Sequence, residues 1–124
     1  MSTLEAVMTT QEIADRLSVL FKENKWVEAQ QELFSDDVES IEPAGAAMQT
    51  AKGKDALKKK ADDFNNMIEE VHGGYSGEPI VAGNHIAIAM GMDVTMKEKG
   101  RMKLDEICVY EVKDGKIVKE QFFY

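Results

Sequence analysis

The 124-residue sequence has one cysteine and two histidines, and no apolar run that approaches the length of a transmembrane helix. The single cysteine, Cys108, excludes an intrachain disulfide bond and fits a reducing compartment. His72 and His85 are too far apart for zinc-ligand spacing, so we expect no metal site. The first residues lack a basic region followed by an apolar run, so we predict no signal peptide and a cytoplasmic protein.

Basic residues are also in deficit. There are 15 Lys and Arg against 23 Asp and Glu, which gives a formal net charge of −8 and a pI of about 4.8. Such a chain repels the phosphates of nucleic acid and anionic membrane surfaces, so we expect neither as a partner. The longest basic run, Lys58–Lys60, is flanked by Asp55, Asp62 and Asp63. We interpret it as a solvated helix face rather than a polyanion site.

Length and composition predict one compact domain. The chain is 44% hydrophobic and 31% charged, which is enough for one core in a soluble protein. Residues 1–8 show no cap and no periodicity, so we predict a flexible N-terminus followed by a single domain over residues 9–124. No phosphate loop, nucleotide fingerprint or nucleophile elbow is present.

Three helices are predicted in the first half of the chain. Thr9 and Glu12 form a capping box, after which apolar residues follow at helical spacing. Asn24 interrupts this pattern, and a second short helix follows that ends near Ser35. A third helix, from about residue 53 to 68, places a set of apolar residues on one face: Leu57, Ala61, Phe64 and Ile68.

Strands dominate the second half. A short strand over Val38–Ile41 ends at Pro43 and Gly45, and a bent strand begins near Glu70. Three longer strands then form a meander, with turns predicted at residues 99–100 and 113–116. Helices followed by strands predict an α+β fold, with the helices against one face of the sheet.

Alternation along the long strand separates bulky residues from small ones. One face carries Ile86, Ile88, Met90 and Met92, and the other carries alanines, Gly91 and Asp93. A two- or four-residue loop at the next turn places Glu106 opposite Gly91 or Asp93, and a three-residue loop reverses this. Small residues on the helix side would leave room for a ligand cavity.

The bulky face is too apolar to meet water. We predict that a second copy of the chain covers it and forms a homodimer, sheet against sheet. The residues of this predicted interface are Ile86, Ile88, Met90, Met92, Ile107 and Val109. The alternative is that these residues face the helices and that the monomer is self-sufficient.

The order of motifs from about residue 10 to 124 resembles the SnoaL-like domain of the nuclear-transport-factor-2-like superfamily. The motifs are L-F-S-D-D, I-E-P-A-G, K-G-K-D-A-L and V-Y-E-V-K-D-G-K-I-V-K-E-Q-F-F-Y. The resemblance implies a cone-shaped α+β domain, in which a curved mixed or antiparallel sheet wraps around three helices and encloses a pocket. Members are often dimers through the sheet, and they include polyketide cyclases, isomerases, epoxide hydrolases, dehydratases and non-enzymes. Fold alone therefore does not fix the reaction.

One position is similar to the ketosteroid isomerases. They carry an aspartate base before a proline and a glycine at the end of the first strand, where this chain has Glu42-Pro43-x-Gly45. Their oxyanion donors, a tyrosine and a protonated aspartate, correspond to positions near Ser18 and at Cys108. Neither residue is a strong donor, which argues against steroid isomerisation.

The resemblance to SnoaL-like cyclases implies acid and base side chains on the pocket wall, without a metal or a cofactor. We assign Glu42, Glu106, Glu120 and His72 as candidate catalytic residues. A carboxylate in an apolar pocket has a raised pKa and becomes a better base near neutral pH. The alternatives are a solvated loop carboxylate for Glu42, lysine pairs for Glu106 and Glu120, and a structural role for His72.

The candidate ligand-binding residues are Tyr110, Phe122, Tyr124, Cys108 and Asp93. Cys108 has no evident base nearby, which favours the interpretation that it is a small buried apolar residue. Two functional hypotheses follow. The first is a cofactor-independent cyclase or isomerase that acts on a small apolar or aromatic molecule. The second is a non-catalytic binding or dimerisation module with the same cavity.

Overall fold

The computed structural model describes residues 7–124, so most of the predicted flexible segment, residues 1–8, lies outside the described residues. Three helices precede or interrupt seven strands, which confirms the α+β class. The helices are α1 (Thr10–Lys22), α2 (Trp26–Leu33) and α3 (Lys54–Met67). The strands are β1 (Phe34–Ile41), β2 (Ala51–Lys52), β3 (Ile68–Ser76), β4 (Ile80–Ala82), β5 (His85–Met96), β6 (Gly100–Lys113) and β7 (Lys116–Phe123).

Local sequence signals account for several element ends. The capping box before α1 is confirmed: the Thr9 hydroxyl accepts the Glu12 N–H at 3.1 Å, and Glu12 Oε1 accepts the Thr9 N–H at 2.8 Å. Asn24, with φ of 59°, ends the first helical segment. Asp114 and Gly115, with φ of 51° and 76°, form the predicted hairpin turn between β6 and β7.

The sheet is mixed, in the order β2-β1-β7-β6-β5-β3, with β4 paired to β5. β1 runs parallel to β7, and the other pairs are antiparallel. Ser40 of β1 therefore lies beside Glu120 of β7, which in turn lies beside Tyr110 of β6. This row brings the end of the first strand next to the last two strands of the meander.

The register of β5 against β6 corrects the predicted faces of the sheet. Met96 pairs with Gly100, so the turn has three residues, 97–99, and even-numbered residues pair with even-numbered ones. Glu106 consequently lies opposite Met90, and not opposite Gly91 or Asp93. It shares a face with the bulky apolar residues of β5.

This face is the core of the monomer, so the predicted dimer surface was wrong. Ile86, Ile88 and Met90 are buried together with apolar residues of α1, and Met92 lies on the same face of β5. Ile107 and Val109 pair with Ala89 and Ala87 and lie on the opposite face, so the six residues do not form one surface. A sequence pattern shows that two faces differ, but it does not show which of them the helices cover.

Among residues 7–124, no helix combines the length and the apolar character needed to cross a membrane. The cytoplasmic location stays a prediction. Below, the inner face is the side of the sheet that packs on the helices, and the outer face is the opposite side.

Ile86 provides a direct test of the inner face. It is completely buried, so Ile86→Ala should leave a cavity and lower the free energy of unfolding by about 2–5 kcal/mol. Ile80 on β4 is 72% exposed, and Ile80→Ala is the matched control, with an expected change within about 0.5 kcal/mol. Urea unfolding measures both variants. Equal losses would contradict the assignment of the core face.

Candidate functional site

A cavity of about 1070 Å³ lies between the helices and the inner face of the sheet. Its apolar wall includes Phe21, Trp26 and Phe64 from the helices and Met90 and Phe122 from the strands. In the observed register, the even-numbered side chains of β5 and β6 point toward this space. A cavity of this size and character is typical of a site for a small organic molecule.

The nine predicted site residues differ in whether they line the cavity. Six of them line the cavity: Glu42, Glu106, Tyr110, Glu120, Phe122 and Tyr124. Cys108 lies on the same face of β6 and is completely buried between Glu106 and Tyr110. His72 and Asp93 are not among the lining residues.

His72 and Asp93 belong to the outer face, contrary to the prediction. Asp93 accepts two hydrogen bonds from the Arg101 guanidinium, at 3.0 and 2.9 Å. His72 shares a hydrogen bond of 2.7 Å with the Thr95 hydroxyl, on the same side of β5 as Asp93. Odd-numbered residues of β5 point away from the helices in the observed register, so neither side chain reaches the cavity.

Glu42 is held at the end of β1 by two partners. Its Oε1 accepts a hydrogen bond of 2.6 Å from the Tyr124 hydroxyl, and its Oε2 forms an ion pair of 2.5 Å with Lys60 Nζ. The Glu42 side chain is only 7% exposed, so the predicted alternative of a solvated loop carboxylate does not hold. Partial burial and, after it, the hydrogen bond to Glu42 raise the pKa of Tyr124, so its hydroxyl stays a donor.

Glu120 occupies a deeper position on β7. Its Oε1 accepts a hydrogen bond of 2.8 Å from the Ser40 hydroxyl, and that hydroxyl accepts one of 2.9 Å from Lys60 Nζ. Burial raises the pKa of Glu120 to about 7, against the opposing effects of Ser40 and Lys60. Glu120 is therefore a carboxyl group that changes its protonation near neutral pH.

Glu106 forms the third corner of the acidic cluster. Burial raises its pKa, and the negative charge of Glu42 raises it further, whereas the Cys108 thiol, 3.6 Å from Oε1, acts in the opposite direction. Burial raises the pKa of Cys108 far above its ordinary value, so its thiol is not a nucleophile. Burial has the same effect on Tyr110.

Lys60 and Ser40 are site residues that the sequence interpretation missed. Lys60 was assigned to a solvated helix face, but its side chain is only 14% exposed. A signal was available, because Lys60 lies three residues after Leu57 and four before Phe64, on the apolar face of α3. Ser40 lies two residues after the buried Val38 on β1, so both side chains are on the same face and point inward.

The arrangement is a polar wall on an apolar cavity. Three carboxyl groups and one ammonium group meet there, and Ser40 and Tyr124 fix their orientation. Within residues 7–124, no group of three or more His, Cys, Asp or Glu side chains is placed to hold a metal ion. Such a wall can accept a proton at one carboxyl group and donate one from another.

Comparisons with known proteins agree with this fold. A family model described as SnoaL-like domain matches residues 8–124. A Mesorhizobium loti protein, provisionally named a SnoaL-like polyketide cyclase with carbohydrate phosphatase in brackets, is 37% identical, with a TM-score of 0.89. The match covers 94% of this chain and 100% of that one.

More distant structures share the fold alone. A Xanthomonas campestris protein with a cystatin-like fold is 17% identical over 94% of this chain and 90% of its own, with a TM-score of 0.76. TerC, co-crystallised with polyporic acid, is 18% identical over 93% and 90%, with a TM-score of 0.72. No curated protein matches in sequence.

Glu120→Gln should change how stability depends on pH. The folded state favours the neutral carboxyl group, so the wild type loses stability as the pH rises from the ordinary value of 4.5 through about 7. A shift of this size corresponds to about 3 kcal/mol. Glutamine keeps an oxygen that can accept the Ser40 hydrogen bond and cannot ionise. The variant should therefore gain about 3 kcal/mol relative to the wild type between acidic and alkaline pH.

Urea unfolding at about pH 5 and about pH 8 measures this difference. Glu39→Gln is the control, because Glu39 precedes Ser40 and alternates to the other face of β1, so its curve should parallel that of the wild type. Parallel curves for wild type and Glu120→Gln would show that Glu120 does not favour the neutral form.

Proposed function

The chain belongs to the SnoaL-like domain family, and from this premise we propose that it binds a small apolar or aromatic molecule in the cavity and catalyses acid–base chemistry on it without a cofactor. The reaction type would be a cyclisation or an isomerisation that starts at a carbon next to a carbonyl group. One observation carries the proposal: Glu42, Glu106 and Glu120 converge on the wall of an apolar cavity. The family itself contains several reaction types, so the reaction has to be inferred from the residues of the site.

The two best-placed carboxyl groups suit opposite tasks. Glu42 is a carboxylate in its ion pair with Lys60, and a carboxylate can accept a proton from carbon. Glu120, with a pKa of about 7, is partly protonated at neutral pH and can donate a proton to an oxygen. Their different surroundings assign Glu42 as the base and Glu120 as the acid, with Glu106 as a second proton donor.

Ligand size and polarity follow from the lining. The aromatic rings of Trp26, Phe64 and Phe122 offer flat apolar surfaces, and the polar groups are concentrated near the ends of β1 and β7. This favours a molecule with an aromatic or apolar body and an oxygen function at one end. The cyclase name of the Mesorhizobium loti relative is consistent with such a ligand.

One observation favours the second candidate function, a binding module without catalysis. Both oxygens of Glu42 already have close partners, Tyr124 at 2.6 Å and Lys60 at 2.5 Å. A base that is so firmly held must exchange one partner for the substrate before it can take a proton. A module that only binds ligands does not require this exchange.

Proton exchange distinguishes the two candidates without knowledge of the natural substrate. In deuterated water, the protein should catalyse the loss of hydrogen next to the carbonyl group of small aryl ketones and aryl 1,3-diketones. Glu42→Gln should slow this exchange by about 10²–10⁴-fold, because general base catalysis contributes that much. Nuclear magnetic resonance of the ketone measures the rate, and Glu39→Gln is the control with a full rate.

Binding is followed separately by Trp26 fluorescence. Trp26 is the only tryptophan and lines the cavity, so an aromatic ligand should change its emission. Ketones that alter the emission but exchange equally fast with wild type and Glu42→Gln would establish the binding module. A complete lack of response across the ketone panel would contradict both candidates.

We also propose that the chain forms a homodimer, now through the outer face. Ile107 and Phe123 pair across β6 and β7 on that face and are 51% and 49% exposed. An exposed apolar pair on a sheet favours association with an identical surface. Ile107→Lys should shift the sedimentation coefficient from dimer to monomer, and Val19→Lys should leave it unchanged, because Val19 is an exposed apolar residue of α1, on the helix side of the sheet. A wild type that sediments as a monomer at high concentration would contradict this proposal.

A further inference from the structure

We propose that Lys60 is the group that stabilises negative charge on the substrate oxygen, so that the site selects neutral molecules with an enolisable carbonyl or a weakly acidic hydroxyl group. This inference rests on the proposed function and deepens it. The usual oxyanion donors have no strong counterpart at Ser18 or Cys108, and Lys60 comes from a different element, α3.

The environment of Lys60 separates it from its two neighbours in sequence. Lys58 and Lys59 form ion pairs of 3.0 and 2.7 Å with Asp62 and Asp63, one helical turn further along α3, and remain 51% and 77% exposed. A helix turns by about 100° per residue, so the third lysine of the run faces the sheet. Lys60 is thus a cation placed against the cavity, while the other two are surface charges.

One N–H group of Lys60 is available to a ligand. An ammonium group has three N–H bonds. Lys60 Nζ forms an ion pair of 2.5 Å with Glu42 and donates a hydrogen bond of 2.9 Å to the Ser40 hydroxyl, and it has no third partner within residues 7–124. Lys60 Nζ lies 5.1 Å from the centre of the Phe122 ring, which lines the cavity. A ligand oxygen near Phe122 can therefore accept the third N–H.

The chemistry needs such a donor. When Glu42 takes the proton, the C–H bond breaks, an O–H bond forms on the carboxyl group, and the electron pair moves into a new C=C bond. The carbonyl oxygen then carries the negative charge of the enolate. An ammonium group already fixed by Glu42 and Ser40 stabilises this charge without having to reorient.

The charges around Lys60 also exclude other ligand classes. Glu42 compensates Lys60 in the resting site, and Glu106 and Glu120 add negative charge when they ionise. A carboxylate or phosphate ligand would meet these carboxyl groups at short range. A neutral molecule avoids this repulsion and becomes anionic only at the oxygen that contacts Lys60.

A phenol is a stable probe of the same charge. We use 4-nitrophenol, whose phenol and phenolate forms differ in absorbance, and 4-nitroanisole, its methyl ether, which cannot ionise. Bound 4-nitrophenol should ionise at a lower pH than free 4-nitrophenol. Lys60→Gln should raise the pKa of the bound phenol by about one unit or more, which is about a tenfold loss of the phenolate form. Lys60→Arg should retain most of the effect, and Lys58→Gln is the matched control without effect.

A second variant keeps the test valid if Lys60→Gln does not fold. Glu42→Gln removes the charge that compensates Lys60, so the pKa of the bound phenol should fall further below that of the wild type. The same pKa for bound phenol in wild type and Lys60→Gln, or in wild type and Glu42→Gln, would overturn the role of Lys60 and leave the ligand cavity intact. If neither 4-nitrophenol nor 4-nitroanisole changes the Trp26 emission, both this inference and the proposed function fail.

Discussion

The pairing of Met96 with Gly100 across the turn of residues 97–99 determines which side chains of the sheet face the helices. Side chains alternate along a strand, so a turn one residue longer or shorter would exchange the two faces of β6. With the observed turn, Glu106 and Tyr110 point into the cavity, and Ile107 points away from it. The next turn, at Asp114 and Gly115, extends the same alternation to Glu120 and Phe122 of β7.

The inner face also carries a nearly buried ion pair, Glu42 and Lys60, that the stability of the fold does not require. Replacement of a buried ion pair by apolar residues is often neutral or stabilising, whereas removal of one partner costs about 3–5 kcal/mol. The side chains of Glu42 and Lys60 are 7% and 14% exposed, and both residues line the largely apolar cavity. Ser40 and Tyr124 satisfy further hydrogen bonds, so that the pair is tolerated. A buried charge cluster on a cavity wall of this kind marks a candidate functional site.

Local signals predicted the elements better than their packing. The capping box at Thr9 and the Asp114–Gly115 turn depend on a few adjacent residues, and both are present as predicted. Six of the nine candidate site residues line the cavity, and their catalytic and ligand-binding roles stay predictions. The turn at residues 97–99 carries no such signal, since Lys97, Glu98 and Lys99 suit several loop lengths.

The sites of His72, Asp93 and Lys60 could not be read from residue type. Whether a carboxylate or a histidine meets the cavity depends on the register of β3, β5 and β6, which is set by contacts distant in sequence. Lys60 shows the converse: its charge suggested solvent, although its spacing on α3 placed it with Leu57 and Phe64. Periodicity is a geometric property of the helix, and it holds whether the side chain is apolar or charged.

In the proposed mechanism, two glutamates have different tasks because their surroundings differ. Glu42 and Glu120 have identical side chains and lie on neighbouring strands, yet only Glu42 has the ammonium group of Lys60 as a direct partner. Glu120 reaches Lys60 only through the Ser40 hydroxyl, and burial therefore dominates its pKa. In the proposed mechanism, burial and the distance from one lysine thus separate the acid from the base.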